Sequence, residues 1–571
     1  MPYQPTMLGT RYMVAAGHYL AAQAGFNILE DGGNAIDAGV ASAMTLAVVQ
    51  SDIVNVGGVA PMILYLAETN EVVTISGLGW WPKKAELDLF IREHNGTVPA
   101  GVRRSVIPAA PDAWLTALLR YGTKSFGEVA EGAIRCAREG FSMHETMAGT
   151  IESAKDGYAN YPSNMAIMMP NGRVPEVGEN FVQSDLARSL QYMVDEESSA
   201  ASASGREAGL KAARAAFYEG DIAKAIAKFH REEGGLITEE DLREFHVAIE
   251  DPVKRTYWGI DVYTCGPWCQ GPSLLQMMAL VEGYDLKKMG HNSADYIHTV
   301  SEAIKLVFAD RERYYADPRF VDVPLDILLS DAYSAERRKM IRSDEAWPEM
   351  PAHGAIDGFA PGGPSYSTAL HAPAYMQHDT SYACAIDSHG NAFSVTPSDS
   401  CGASPLIPGL GLVASGRGSQ NWAVEGHPCA IAPGKRPRLT PNPALAMIDG
   451  KMTMPFGTPG GDVQCQAMLQ VFLNIHQFGL DPQEAIEAPR FSTFSHPSSF
   501  EPHQAEPGVL RLENRIDAGA GEDLAAKGHT VEWWPELTRK AGSVCAIVQD
   551  RETGRIAGGA DARRQSRAIG W

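Results

Sequence analysis

The sequence predicts a mixed α/β (α+β) fold, and three stretches carry that prediction. The first hundred residues alternate helix-period and strand-period patterns. A long amphipathic run, HTVSEAIKLVFADRERYYAD, lies in a segment from Ala294 to about Asp317. Tyr382-Ala-Cys-Ala-Ile-Asp and Asn391-Ala-Phe-Ser-Val-Thr read as two short strands joined by Ser388-His-Gly390, a hairpin in pattern.

In chain order, Gly17 to Glu30 predicts a helix with Ala21, Ala22, Ile28 and Leu29 at its small and apolar positions. Gly32-Gly33 ends it, because glycine accepts the left-handed conformation that closes a helix. Ala35 to Val49 predicts a second, Ala-rich helix. Pro61 to Leu66 and Val72 to Ile75 predict strands around a polar turn at Glu68 to Asn70. Residues 110–235 are mostly helical in pattern. Within them Asp195 to Gly205 (DEESSAASASG) is polar, small and low in complexity, and reads as a surface loop or insertion. From about Ser343 to Gln377 the chain is rich in Pro, Gly, Ala and His, which predicts a flexible or exposed segment. A loop that ends in a hairpin is a sensible place for a chain cut.

Composition excludes several classes. With 571 residues, 44% hydrophobic and 20% charged, the chain is of ordinary globular make-up, and length alone suggests roughly three to four domain-sized units. The net charge of −21 repels phosphate backbones, so no nucleic-acid partner is expected. The eight cysteines contain no C-x-x-C pair; they read as buried free thiols, and neither a zinc site nor a disulfide framework is predicted. The N-terminal MPYQPTMLGTRYMVAAGHYL lacks a basic segment followed by an apolar one, and Ala38 to Val49 is too short to span a bilayer. The expectation is a soluble, cytoplasmic protein without a membrane partner.

The common catalytic motifs are missing: there is no G-x-S-x-G, no H-E-x-x-H and no G-x-x-x-x-G-K-[ST]. GTPGGD, Gly457 to Asp462, lacks the lysine of a phosphate loop and by itself reads as a tight turn. Neither metal nor cofactor is expected.

Six segments in order point elsewhere: LEDGGNAIDAGVA (29–41), NVGGVAPM (55–62), EAIKLVFADRERYYADPRFVDVP (302–324), HDTSYACAIDSHGNAFSVT (378–396), GKRPRLTPNPAL (434–445) and GTPGGDVQCQAMLQVFLN (457–474). In this order and spacing the chain resembles the γ-glutamyltransferase family of N-terminal-nucleophile hydrolases over nearly its whole length. The resemblance implies a four-layer αββα sandwich and self-cleavage between Asp379 and Thr380. Residues 1–379 would then be a large subunit and 380–571 a small one, co-folded as one body. It implies Thr380 as nucleophile, Ser398 in the place of a family threonine that bonds the nucleophile, and Gly460 and Gly461 as the backbone donors of an oxyanion hole. The chemistry suits those residue types. A threonine hydroxyl needs an adjacent base, and cleavage frees an α-amine with a reference pKa of roughly 7.7–8.0.

The substrate-recognition set departs from the family. Leu78 falls where an arginine is expected, Pro437 and Arg438 replace a pair of serines, and the aspartate that would hold the substrate amine is missing near Ser419. A γ-glutamyl substrate, carrying a carboxylate and an ammonium, should bind poorly unless Arg417 or Arg438 rebuilds the site. The GRGS and GKRP patterns look more like relatives that hydrolyse other amides. Arg417, Ser419 and Arg438 are therefore the candidate substrate-binding residues, with structural ion pairing as the alternative for the arginines. Trp80 and Trp81 read as core or as an apolar acyl pocket. The expected activity is an amidohydrolase or acyltransferase acting on a small carboxylate-bearing or acyl amide through a Thr380 acyl-enzyme. A γ-glutamyltransferase/glutathione hydrolase with a rearranged pocket and an uncleaved, non-catalytic binding protein are the alternatives.

Overall fold

The computed structural model of the chain describes residues 3–359 and 380–571, so Asp379 lies outside the described residues. Two seven-stranded sheets form the centre of the molecule. One runs Met7–Gly9, Ile556–Ala560, Cys545–Asp550, Met452–Gly457, Ala444–Ile448, Ile260–Thr264, Val253–Tyr257 in spatial order. The other runs Arg567–Gly570, Met13–Ala16, Ala383–Ile386, Ala392–Val395, Met62–Leu66, Glu71–Ile75, Ile249–Glu250. Their ladders are antiparallel.

The pleat sends alternate side chains to opposite faces. Cys384 and Ile386 join Met13, Ala15, Ile63, Tyr65, Leu445 and Ile547 in a core between the sheets. Ala383 and Ala385 face the other way, into a core shared with the helices Tyr19–Glu30, Ala35–Val49 and Phe126–Glu139. The helices Gly271–Val281, Ala294–Tyr314 and Val463–His476 cover the outer face of the first sheet. The result is the expected four-layer αββα sandwich. Residues before and after position 379 contribute strands to both sheets, so one body replaces the three or four units that length suggested.

Every residue of the Ala35–Val49 helix is buried, and a Cβ at Gly39 would enter the Phe393 ring, so the small side chains let this helix lie close on the sheet. One local expectation fails. Asp195 to Gly205 is the end of a helix, Ser184–Ser204, rather than a loop. Alanine there is a strong helix former, and Glu197 is buried with its carboxylate accepting from the Phe126 and Gly127 N–H groups at the start of the Phe126–Glu139 helix. Apart from Glu197, the polar residues of the stretch stay at the surface, so the surface part of the expectation holds and only the loop fails. Residues 343–359 contain neither helix nor strand, as the composition suggests, and 360–379 lie outside the described residues. All eight cysteines are free; seven are buried and Cys136 is half-buried.

Candidate active site

The hairpin assembles the first pair. Ala383 faces Val395 in an antiparallel register, and continuing it outward by three residues on each strand sets Thr380 opposite Ser398. Ser381 N donates to Pro397 O at 2.9 Å along that extension, and Thr380 Oγ1 meets Ser398 Oγ at 2.6 Å. Both are fully buried. Val59 clasps Ser398 from the far side through reciprocal backbone bonds of 3.0 and 3.1 Å. The adjoining Gly58 must be glycine, since a Cβ there would lie 2.2 Å from Ser398 O. The NVGG segment is thus explained by close backbone approach.

Thr380 N donates to Ile53 O at 2.9 Å, and Arg564 Nη1 donates to Thr380 O at 2.9 Å. The residue sits at φ +90°, an unfavourable value for a β-branched side chain, so the backbone is held under strain at the expected point of cleavage. Asp52, next to Ile53, is buried, and among the described residues no side chain or neighbouring backbone group donates to either carboxylate oxygen. Burial pushes its carboxyl up, opposed by His144 and Arg564.

Arg417 lies in the 3₁₀ turn Gly416–Gln420, donates through Nη2 to Ser398 Oγ, and has its Nε 3.7 Å from Asp399 Oδ2. Asp399 fixes this turn by accepting from Ser415 Oγ at 2.5 Å and Gly416 N at 3.1 Å. Ser419 spends its hydroxyl inside the turn, donating to Gly416 O at 3.0 Å. The second candidate arginine is differently engaged: Arg438 Nη2 donates to Glu312 Oε1 at 2.6 Å and Nη1 to Arg311 O at 3.0 Å. Trp81 is core, packed on Phe90 with Nε1 donating to Asn421 Oδ1 at 2.9 Å. Trp80 lies against Phe245. Leu78 is buried in an apolar cluster with Val59, Trp268 and Leu439, and the Arg436 guanidinium lies over the Trp268 ring at 5.1 Å from its centre.

Gly460 and Gly461 form the turn into the Val463–His476 helix at φ +128° and +57°. Among the described residues nothing accepts a hydrogen bond from either N–H. Gln270 Nε2 donates to Gly461 O at 2.9 Å, Arg311 Nη1 to Gln270 Oε1 at 3.1 Å, and Arg311 pairs with Asp462. Burial works against ionisation of Asp462, but the Arg311 guanidinium and the donors of Ser499 outweigh it and hold the carboxyl below its usual range. The hydroxyl pair, the guanidinium and the glycine turn are groups of the kinds that acyl transfer uses: a hydroxyl with a hydrogen-bond partner, a cation and backbone N–H donors. Asp52, Asp399, Gln270, Arg311 and Arg564 were not singled out by sequence; Asp399 adjoins Ser398, and the others reach the site across a long sequence separation that periodicity does not encode.

Elsewhere His298, Glu302 and His529 form a buried cluster of metal-ligand type. Lys305, equally buried, stands 2.7 Å from Glu302 Oε1 and already provides the positive charge a cation would bring, so no metal is assigned there. No helix among the described residues is long and apolar enough to cross a membrane.

A family model described as gamma-glutamyltranspeptidase matches residues 21–571. The glutathione hydrolase-like YwrD proenzyme of Bacillus subtilis (strain 168) is 31% identical, with 99% of each chain covered. The acylase ACY 1 proenzyme of Pseudomonas sp. (strain SE83) is 31% identical over 95% of this chain and 90% of its own. The crystal structure of cephalosporin acylase from Bacillus halodurans has a TM-score of 0.86 and 27% identity, covering 100% of this chain and 98% of the other.

Proposed function

The chain belongs to the γ-glutamyltranspeptidase family of hydrolases and transferases, and we propose that it is a self-processing amidohydrolase or acyltransferase that cleaves a small carboxylate-bearing or acyl amide through an ester on Thr380. The observation that carries this reading is the buried 2.6 Å contact of Thr380 Oγ1 with Ser398 Oγ, the latter also accepting from Arg417. In the precursor, Thr380 Oγ attacks the Asp379 carbonyl, the peptide nitrogen takes the proton, and water opens the resulting ester. This leaves residues 1–379 and 380–571 as two chains and a free α-amine on Thr380. In turnover that amine accepts the hydroxyl proton as Oγ attacks the substrate carbonyl. Gly460 and Gly461 N–H groups bond the oxyanion, the leaving amine takes the proton, and water or a second amine removes the acyl group.

Arg417 is the proposed carboxylate donor, with Arg438 and Ser419 in supporting positions. Glutathione hydrolase activity is the rival, and the presence of Leu78, buried in an apolar cluster, where an arginine is expected counts against it. The proenzyme names of the Bacillus and Pseudomonas relatives are in keeping with processing. Denaturing electrophoresis tests the processing step: two bands in the parent and one at 61.5 kDa in Thr380→Ala are expected. A parent that stays as one band refutes it and favours a non-catalytic binding protein. Turnover of γ-glutamyl anilide in preference to carboxylate-bearing amides would favour the glutathione hydrolase reading.

A further inference from the structure

Resting on the roles given to Thr380 and Arg417 above, the geometry points to Phe500 as the residue that sets acyl length and confines the enzyme to monoamides of short dicarboxylic acids. Phe500 belongs to a strap that ties two parts of the site together. On one side Ser499 donates to Asp462 through N at 2.8 Å and through Oγ at 2.6 Å. On the other, Glu501 N donates to Ser419 O at 2.8 Å. Asp462 follows the glycine pair and Ser419 belongs to the Arg417 turn, so the ring between them is fixed from both ends.

Its position follows from two further distances. A Cβ on Gly461 would lie 3.5 Å from Phe500 Cε2, and Arg417 Cζ stands 5.5 Å from the centre of the ring. The phenyl group therefore touches the oxyanion turn and lies within cation–π reach of the guanidinium. It is 4% exposed, so water is kept off this side of Arg417, which strengthens attraction for a carboxylate.

The span available to a substrate is small. Thr380 Oγ1 is one hydrogen bond from Ser398 Oγ, and Ser398 Oγ is one hydrogen bond from Arg417. An acyl group with its carbonyl on Thr380 and its carboxylate on Arg417 covers on the order of 5–6 Å, which roughly two to four carbons span. A longer chain has to bow out of that line, and the proposal sets the Phe500 ring, held between the glycine turn and Arg417, against it.

The test uses the full-length, self-cleaved protein and the p-nitroanilides of oxalic, malonic, succinic, glutaric and adipic acids. The parent should show kcat/KM falling at least tenfold from the succinyl to the adipyl compound. In Phe500→Ala the adipyl-to-succinyl ratio should rise at least tenfold, with cleavage at Thr380 retained by intact mass. Should that variant fail to cleave, Phe500→Leu carries the same test, with a rise of at least threefold expected. A parent without length preference, or a ratio unchanged by the variant, overturns the role of Phe500 while leaving the acyl-enzyme reading in place. A chain correctly cut before Thr380 that hydrolyses none of the five sinks the carboxylate reading itself, and this inference with it.

Discussion

Replacing Ser398 by alanine removes one oxygen that serves two partners. Its hydroxyl is 2.6 Å from Thr380 Oγ1 and accepts from Arg417, all three groups being buried. A buried hydrogen bond to a charged group contributes about 1.5–3 kcal/mol. If that stabilisation is expressed in the transition states for cleavage and turnover, the rates fall roughly 10- to 150-fold. Self-cleavage supplies an assay that needs no substrate. Freshly purified precursor is followed by intact mass as the 61.5 kDa chain gives way to two fragments, at fixed temperature and pH. The same preparations then give kcat/KM on the best amide. Ser398→Thr keeps the hydroxyl and should recover most of the loss, whereas a packing defect would grow worse with the added methyl group. Folded Ser398→Ala protein that cleaves and turns over within twofold of the parent would refute the claim that this hydroxyl orients the nucleophile.

Three further outcomes are expected. Gly460→Ala puts a side chain at φ +128°, where the strain of about 1–3 kcal/mol is relieved by rotating the turn, and kcat should drop by up to about 10²–10³ as an oxyanion donor is lost; kcat within threefold of the parent argues against the assignment. Glu312→Gln removes the anion shared by two buried arginines and should cost about 3–5 kcal/mol, read as a lower denaturant midpoint, with an unchanged midpoint excluding the ion pair as a brace. Burial depresses His18 and His529 to about 3, and His230 and His476 to about 4. These groups favour the folded state fully above the unfolded value of about 6.5, and their contribution is lost as pH falls from there toward the folded values, at up to about 1.4 kcal/mol per pH unit for each. Tm should therefore drop between pH 7.5 and 5, and a flat profile would contradict it.

Thr380 and Ser398 came from resemblance, and the local pattern agrees with their pairing once they are named. Two alternating strands and a short turn fix which residues lie opposite each other, and Thr380 and Ser398 sit on the continuation of that register. The four layers were not legible from periodicity. Ala383–Ile386 and the Ala35–Val49 helix are buried on all sides, so neither shows the polar face that reveals packing; the layers came from resemblance. The Ser184–Ser204 helix was misread for the opposite reason, since its polar end looks solvent-loving while Glu197 is in fact a buried cap for another helix. Asp399, Gln270, Arg311 and Arg564 were missed because a polar residue in a sequence carries no sign of which backbone or side chain it will hold.

The two arginines that sequence treated alike separate once their partners are counted. Arg438 bonds Glu312, Glu312 also bonds Arg311, and Arg311 reaches Asp462 at the end of the glycine turn. Two cations and two anions balance in that chain, so a substrate carboxylate could engage Arg438 only by competing with Glu312 for it, and the competition would loosen the oxyanion turn. Arg417 faces Asp399 at 3.7 Å, with Asp399 already accepting from Ser415 and Gly416, while its Nη2 points at the hydroxyl beside the nucleophile. A carboxylate added there would share the guanidinium with Asp399, whose charge the Ser415 and Gly416 donors already help to hold. Position beside Ser398 and Thr380, rather than charge balance, makes Arg417 the better candidate to meet a substrate and leaves Arg438 as a brace near the glycine turn, and on that proposal Arg438→Met should register mainly in stability and Arg417→Met mainly in kcat/KM.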